Sequence, residues 1–230
     1  MYYLNNNLKN LVRIFDQNER KNYLRLDLNE NPGGLPQDFI DSILPEITPQ
    51  LIAQYPETRH FSEVLAKHLD TTPEHLCLVN GSAEGIRYII QAFTSEGGKI
   101  VGVVPSYFMF QVYSEMYNRS FVKVPYNDDL SMDIQNIIST LTPDTQLLIL
   151  LNPNNPMGMY IQKPNFRKSL KYVNSLKSQS LLMKPIIIFT QKHSSNMLLT
   201  QNIFLLQEPS RNYFQWLVAA LDMSLGILMK

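Results

Sequence analysis

The sequence predicts an α/β fold, a mostly parallel sheet with helices on both faces, from three observations. Between Pro36 and Lys177, short apolar runs alternate with stretches of helical period, the order expected of strand–helix–strand units. The runs "KIVGVV" and "QLLILL" are apolar at nearly every position, as in strands covered on both sides. Three runs end in turn residues, in "LVNGSAEG", "VVPSYFMF" and "LLNPNNPMG", and in such sheets ligands collect beyond the carboxyl ends of the strands.

The elements follow in chain order. "PQDFIDSIL" predicts a short helix opened by Pro36. "FSEVLAKHL", Phe61 to Leu69, has its apolar residues at helical spacing, and "HLCLVN" is a strand. "SAEGIRYIIQAF" sets Ile86, Ile89, Ile90 and Phe93 on one helical face. "KIVGVV" is a strand and "YFMFQVYSEMY" a helix. "SFVKVPY" is a strand, "MDIQNIISTL" a helix, "QLLILL" a buried strand, and "FRKSLKYVNSLK" an amphipathic helix. Beyond Lys177, "SQSLLMKPIIIFTQKHSSNMLLTQ" has no clear period and no turn logic. No internal repeat or low-complexity linker is present.

Composition narrows the classes. The chain has 230 residues, 44% of them hydrophobic and 17% charged, which is globular. Lys and Arg number 20 against 20 Asp and Glu, so no broad pull toward nucleic acid or an anionic membrane is expected. Cys77 is the single cysteine, set in an apolar run and read as a buried core thiol, so a disulfide framework is excluded and a cytoplasmic location expected. No apolar run reaches the roughly 18 residues of a membrane span. "MYYLNNNLKN" lacks a secretory signal's apolar region. His60, His68, His75 and His193 show no metal-ligand spacing, and no metal is expected.

Chemistry concentrates at the three strand ends. Gly81, Ser82 and Ala83 open a helix, whose backbone N–H groups and positive dipole end suit a phosphate. The same residues also suit an ordinary Ser82 cap with Glu84 in the first turn. Tyr107 follows the second strand, where a half-buried packing aromatic is the plainer reading. Asn155 stands between Asn154 and Pro156 after the third strand, its amide held still by neighbouring prolines or simply serving the turn.

Taken together, "LDLNENPGG", "QYPE", "GSAEGI", "PSYFMF" and "NPNNPMG" resemble the fold-type I pyridoxal-phosphate-dependent aminotransferases, in particular the histidinol-phosphate aminotransferase branch, over residues 24 to 178. The resemblance implies pyridoxal 5'-phosphate as cofactor and transfer of an amino group between an amino acid or amino-alcohol phosphate and a 2-oxo acid, in amino-acid biosynthesis. A decarboxylase of the same branch is the alternative, because the cofactor motifs are shared. It implies that Gly81, Ser82 and Ala83 hold the cofactor phosphate, Tyr107 stacks on the ring, and Asn155 bonds the ring's phenolic oxygen. Tyr55 would reach the phosphate in the neighbouring subunit of a homodimer, and Asn29 and Glu30 would sit near the substrate mouth. Met157 stands where the family usually has Thr, and Ala83 where an acidic or small polar residue is common.

The family also requires a lysine Schiff base and an acid beside the pyridine nitrogen, carried in "FSK"-like and "DEAY"-like motifs. Neither follows Asn155 here, and Lys163, Lys171, Lys177, Lys184 and Lys192 lack the flanking pattern. No catalytic residue is therefore assigned in this reading frame. The genetic code offers an explanation. Reading each codon's third base with the next codon's first two, Met183 followed by Lys184 must give glutamate, and Leu182 to Ile187 permit "DEAYY". From Leu206 the same shift permits "TRTFSKLFSMAGCRLGY", its lysine straddling Arg211 and Asn212.

A frameshift between about Leu176 and Leu182 is thus expected. On this basis residues 1–45 form an N-terminal arm with the remnant of a small domain, 46–180 an incomplete cofactor-binding large domain, and 181–230 a non-native, poorly packed tail. Strands supplied downstream in the family would be missing, leaving an exposed sheet edge. The chain would be an inactive aminotransferase, or a non-catalytic remnant that dimerises with an intact copy.

Overall fold

A computed structural model describes residues 22–24, 33–68, 71–152, 154–159, 186–191, 202–207 and 216–221, with single positions 6, 9 and 161. The helices are α1 (Gln37–Ile43), α2 (Pro49–Ala53), α3 (Thr58–His68), α4 (Gly81–Phe93), α5 (Met109–Met116) and α6 (Ile134–Thr140). The strands are β1 (Leu76–Asn80), β2 (Lys99–Val104), β3 (Ser120–Pro125), β4 (Thr145–Asn152), β5 (Ile186–Gln191), β6 (Asn202–Gln207) and β7 (Trp216–Leu221). They form one sheet in the order β1-β7-β6-β5-β4-β2-β3. Of the seven strands described, β6 alone runs against the rest, so β1, β2 and β4 end at the same edge.

The pleat sorts the strand residues onto two faces. Ile100, Leu147 and Ile149 lie with Val79 in one cluster, sealed by Ile86, Ile89 and Ile90 of α4 and Phe110 of α5. Val101, Val103, Leu148 and Leu150 alternate with them onto the other face, under Ile134, Ile137 and Ile138 of α6. Odd and even positions of β2 and β4 therefore belong to different cores, which is why these strands read as continuously apolar. α3 adds a smaller contact, Leu65 with Phe61 packing on Leu76 and Leu78 of β1. Cys77 is half-buried rather than buried and packs against the α4 face.

Most element boundaries match the sequence pattern. α5 starts at Met109, not at Tyr107, so Tyr107 and Phe108 belong to the link from β2. α2 was not expected from the pattern, although its signals are present: Pro49 follows Thr48, whose Oγ1 accepts the Leu51 N–H at 3.1 Å. The expected helix "FRKSLKYVNSLK" lies outside the described residues.

The tail forms elements that its sequence pattern does not announce. It lacks a helical or alternating period, yet "IIIFTQ", "NIFLLQ" and "WLVAAL" form β5, β6 and β7. Short apolar runs rich in Ile, Val, Phe and Trp become strands without any period when neighbours pair with them. These strands lie between β4 and β1 in the described sheet, whose outer strands are β1 and β3.

Candidate functional site

The carboxyl end of β1 passes straight into α4. Gly81 takes φ +72° at the junction, a conformation that favours glycine, and a Cβ there would meet nothing within 4 Å. The side chain of Asn80 does not cap the helix. Its backbone N–H instead donates to Glu84 Oε2 at 2.7 Å. Glu84 Oε1 accepts from Tyr88 at 3.0 Å and from Arg87 at 3.1 Å. The Asn80 N–H, then the Tyr88 hydroxyl, hold the Glu84 carboxyl below its usual value. The acid is thereby turned onto its own helix, and the first N–H groups of α4, at Gly81, Ser82 and Ala83, take no cap from the Asn80 side chain. Burial, with Glu84 adding to it, pushes the Cys77 thiol up, so this cysteine is a poor nucleophile.

At the β2 end the chain turns through Pro105 and Ser106 to Tyr107. The Tyr107 ring meets Phe110 edge-on, with centroids 5.8 Å apart, and Phe108 at 5.6 Å. It is half-buried against the cluster that contains Ile86, Ile89 and Ile90, so Tyr107 and α4 share one packed body.

At the β4 end the firmly held residue is Asn154. It is 3% exposed. Its backbone N–H donates to the Met159 carbonyl at 2.8 Å, and its carbonyl accepts from Gly158 at 2.6 Å, which closes a turn. Its Nδ2 donates to the Pro105 carbonyl at 3.2 Å and to the Tyr126 hydroxyl. Its Oδ1 is buried and has no hydrogen-bond partner among the described residues. One amide thus ties together the ends of β2, β3 and β4. Asn155, next in the chain, is exposed at the lip of this turn. Burial raises the Tyr126 phenol above its ordinary range, with the Asn154 bond acting the other way.

Sequence reasoning placed the rigid amide at Asn155 and missed Asn154 and Tyr126. In "NPNNP" nothing in the residue types separates one asparagine from the other; only burial does. The structure brings Tyr107 and Asn155 close in the chain to Pro105 and Asn154, which bond each other across adjacent strands. Gly81 is farther along the edge, since β7, β6 and β5 separate β1 from β4. That is on the order of 19 Å at ~4.8 Å per strand. α4 spans this gap, touching β7, β6 and β4 as well as α5. Tyr55 is 97% exposed in the link between α2 and α3. Asn29 and Glu30 lie outside the described residues.

Comparison with known proteins decides the family. Residues 21–179 match the sequence model of the family described as aminotransferase class I and II. The chain belongs to the aminotransferase class I and II family. Among curated relatives of this aminotransferase-family chain, a histidinol-phosphate aminotransferase of Thermoanaerobacter sp. (strain X514) is 28% identical over 66% of this chain and 44% of its own length. Histidinol-phosphate aminotransferase 1 of Carboxydothermus hydrogenoformans is 30% identical over 65% and 44%. The aminotransferase-family chain therefore spans less than half the length of either relative. Among solved structures, the histidinol-phosphate aminotransferase of Clostridium acetobutylicum aligns with TM-score 0.57 at 29% identity, covering 70% of this chain and 45% of that one. That of Sinorhizobium meliloti, in complex with pyridoxal-5'-phosphate, aligns with TM-score 0.56 at 22% identity, covering 63% and 40%, a likeness of fold.

Proposed function

We propose that this chain carries the pyridoxal 5'-phosphate cradle of an aminotransferase of the histidinol-phosphate aminotransferase-like branch, and that in this reading frame it has no catalytic lysine. The Asn154–Pro105 bond carries the reading, because it joins the strand end that displays Asn155 to the one that displays Tyr107. Three features fit the cofactor: a helix N-terminus without a side-chain cap, open space over Gly81, and a buried Asn154 oxygen that lacks a donor among the described residues. Gly81, Ser82 and Ala83 would hold the phosphate, Tyr107 would lie on the ring, and Asn155 would donate to the ring's phenolic oxygen. Asn29 and Glu30 would sit at the substrate mouth. Once bound, the cofactor supplies an electron-accepting ring for chemistry at an amino-bearing carbon.

The resemblance and the family match support transamination between an amino acid or amino-alcohol phosphate and a 2-oxo acid. The single cysteine, Cys77, fits a cytoplasmic location, and a homodimer fits the N-terminal segment. α1, α2 and the intervening 3-10 turn bury no residue, while Leu44, Leu51, Ile52 and Tyr55 stay exposed. In that dimer Tyr55 would reach the partner's phosphate site. The same surface favours a second reading, a non-catalytic partner that pairs with an intact copy.

We also propose that residues 181–230 are read out of frame, after an arm at 1–45 and a cofactor-binding part at 46–180. The family match ends at residue 179, inside the stretch where the shift is expected. Sequencing the gene across the codons for Leu176 to Leu182 tests this. Overlaps incompatible with "DEAYY" and "FSK" would refute it. On purified protein, cofactor absorbance that survives dialysis is expected from a frame-corrected chain and not from the present one. Its retention by the present chain would overturn the claim that the lysine is missing.

A further inference from the structure

We propose that Asn154 and Tyr126 are positioning residues for Asn155, a buried clasp that fixes the direction from which Asn155 meets the cofactor's ring oxygen. The inference rests on the cofactor reading above. Asn155 itself is exposed, as are its neighbours in the turn Pro156 and Gly158. An exposed amide on a loose turn would discriminate poorly, because the entropy of fixing it offsets the hydrogen bond it makes.

The clasp removes that freedom from below. Both backbone bonds that close the turn belong to Asn154, one to Met159 and one to Gly158. Its side chain reaches two further elements, Pro105 after β2 and Tyr126 after β3. Tyr126 is half-buried against the core under α6, so its hydroxyl is itself held in place. With Nδ2 directed at two oxygens, the amide cannot flip without setting Oδ1 against the Pro105 carbonyl. The orientation of Asn154, and with it the start of the Asn155 backbone, is therefore set by the sheet and not by solvent. Tyr126 acts through Asn154 in this scheme.

The test uses the full chain and two probes, pyridoxal 5'-phosphate and its analogue lacking the ring hydroxyl, with binding read by ring fluorescence. A hydrogen bond to that hydroxyl of about 1 kcal/mol makes the wild type favour the cofactor by about fivefold. Asn155→Ala should abolish the preference. Tyr126→Phe should reduce it to less than about twofold while the fold, read by circular dichroism, is unchanged. Without cofactor, the Asn154 and Gly158 amides should exchange with solvent faster in Tyr126→Phe. A wild type that binds both probes equally, or neither, overturns the role of Asn155 and this inference with it. A wild type that discriminates while Tyr126→Phe discriminates equally, with unchanged exchange, overturns the clasp alone.

Discussion

The ring of Phe121 lies across Gly102: a Cβ built on Gly102 would stand 2.6 Å from Phe121 Cζ. The two residues sit on the paired strands β3 and β2, where Gly102 faces Lys123 and Phe121 faces Ile100. Glycine is needed here for space, not for backbone freedom, so an added methyl must displace the ring. Gly102→Ala should destabilise the chain by ~1–3 kcal/mol, the usual cost of overpacking. Chemical denaturation would measure it, and the double substitution Gly102→Ala with Phe121→Leu should recover part of the loss.

Arg119 offers a second check. Its Nε donates to the Thr94 hydroxyl at 2.9 Å and its Nη2 to the Thr94 carbonyl at 2.9 Å. A third bond reaches the Tyr117 carbonyl. One guanidinium thus closes the C-terminal end of α4 and secures the entry to β3. Lysine keeps the charge but cannot span these acceptors with a planar fork. Arg119→Lys should cost ~1–2 kcal/mol, since buried Thr94 loses partners. A shift in the denaturation midpoint at unchanged slope would report it.

Glu84 predicts a pH dependence. The Asn80 N–H and the Tyr88 hydroxyl lower its folded-state pKa from the ordinary value of 4.5. The unfolded chain therefore binds the proton more readily, and stability falls as pH drops. The contribution is fully present above about 4.5 and is lost as pH falls through the lowered folded value. Glu84→Gln still accepts the Asn80 N–H but does not titrate. The stability gap between wild type and Glu84→Gln should shrink or reverse on acidification below the ordinary carboxylate range. A gap that is constant with pH would contradict the assignment.

The sheet and its covering helices were legible because burial on both faces writes itself as uninterrupted apolar runs, as in Ile100 to Val104 and Leu147 to Leu151. The three strand ends were legible for a different reason: Gly81, Pro105 and Pro156 are residues whose backbone limits mark turns wherever they occur. β5, β6 and β7 were not, because pairing across the sheet is long-range and no local period announces it. The importance of Asn154 over Asn155 was hidden for the same cause. Its partners, Pro105 and Tyr126, lie 49 and 28 residues away along the chain.

Ser82 separates the phosphate cradle from mere helix capping. It is the second residue of α4, at an N-terminus whose N–H groups the Asn80 side chain leaves uncapped. If its hydroxyl serves a bound phosphate, Ser82→Ala removes a charge-assisted hydrogen bond worth ~1.5–3 kcal/mol, a loss of roughly tenfold to a hundredfold in affinity for pyridoxal 5'-phosphate. Pyridoxal, which lacks the phosphate, should bind wild type and variant alike. Stability should change by less than ~0.5 kcal/mol, because the helix loses no cap at that position. Titration of both ligands against both proteins by calorimetry gives the four values needed. Equal losses for the two ligands would mean that Ser82 supports the fold of the edge and not the anion.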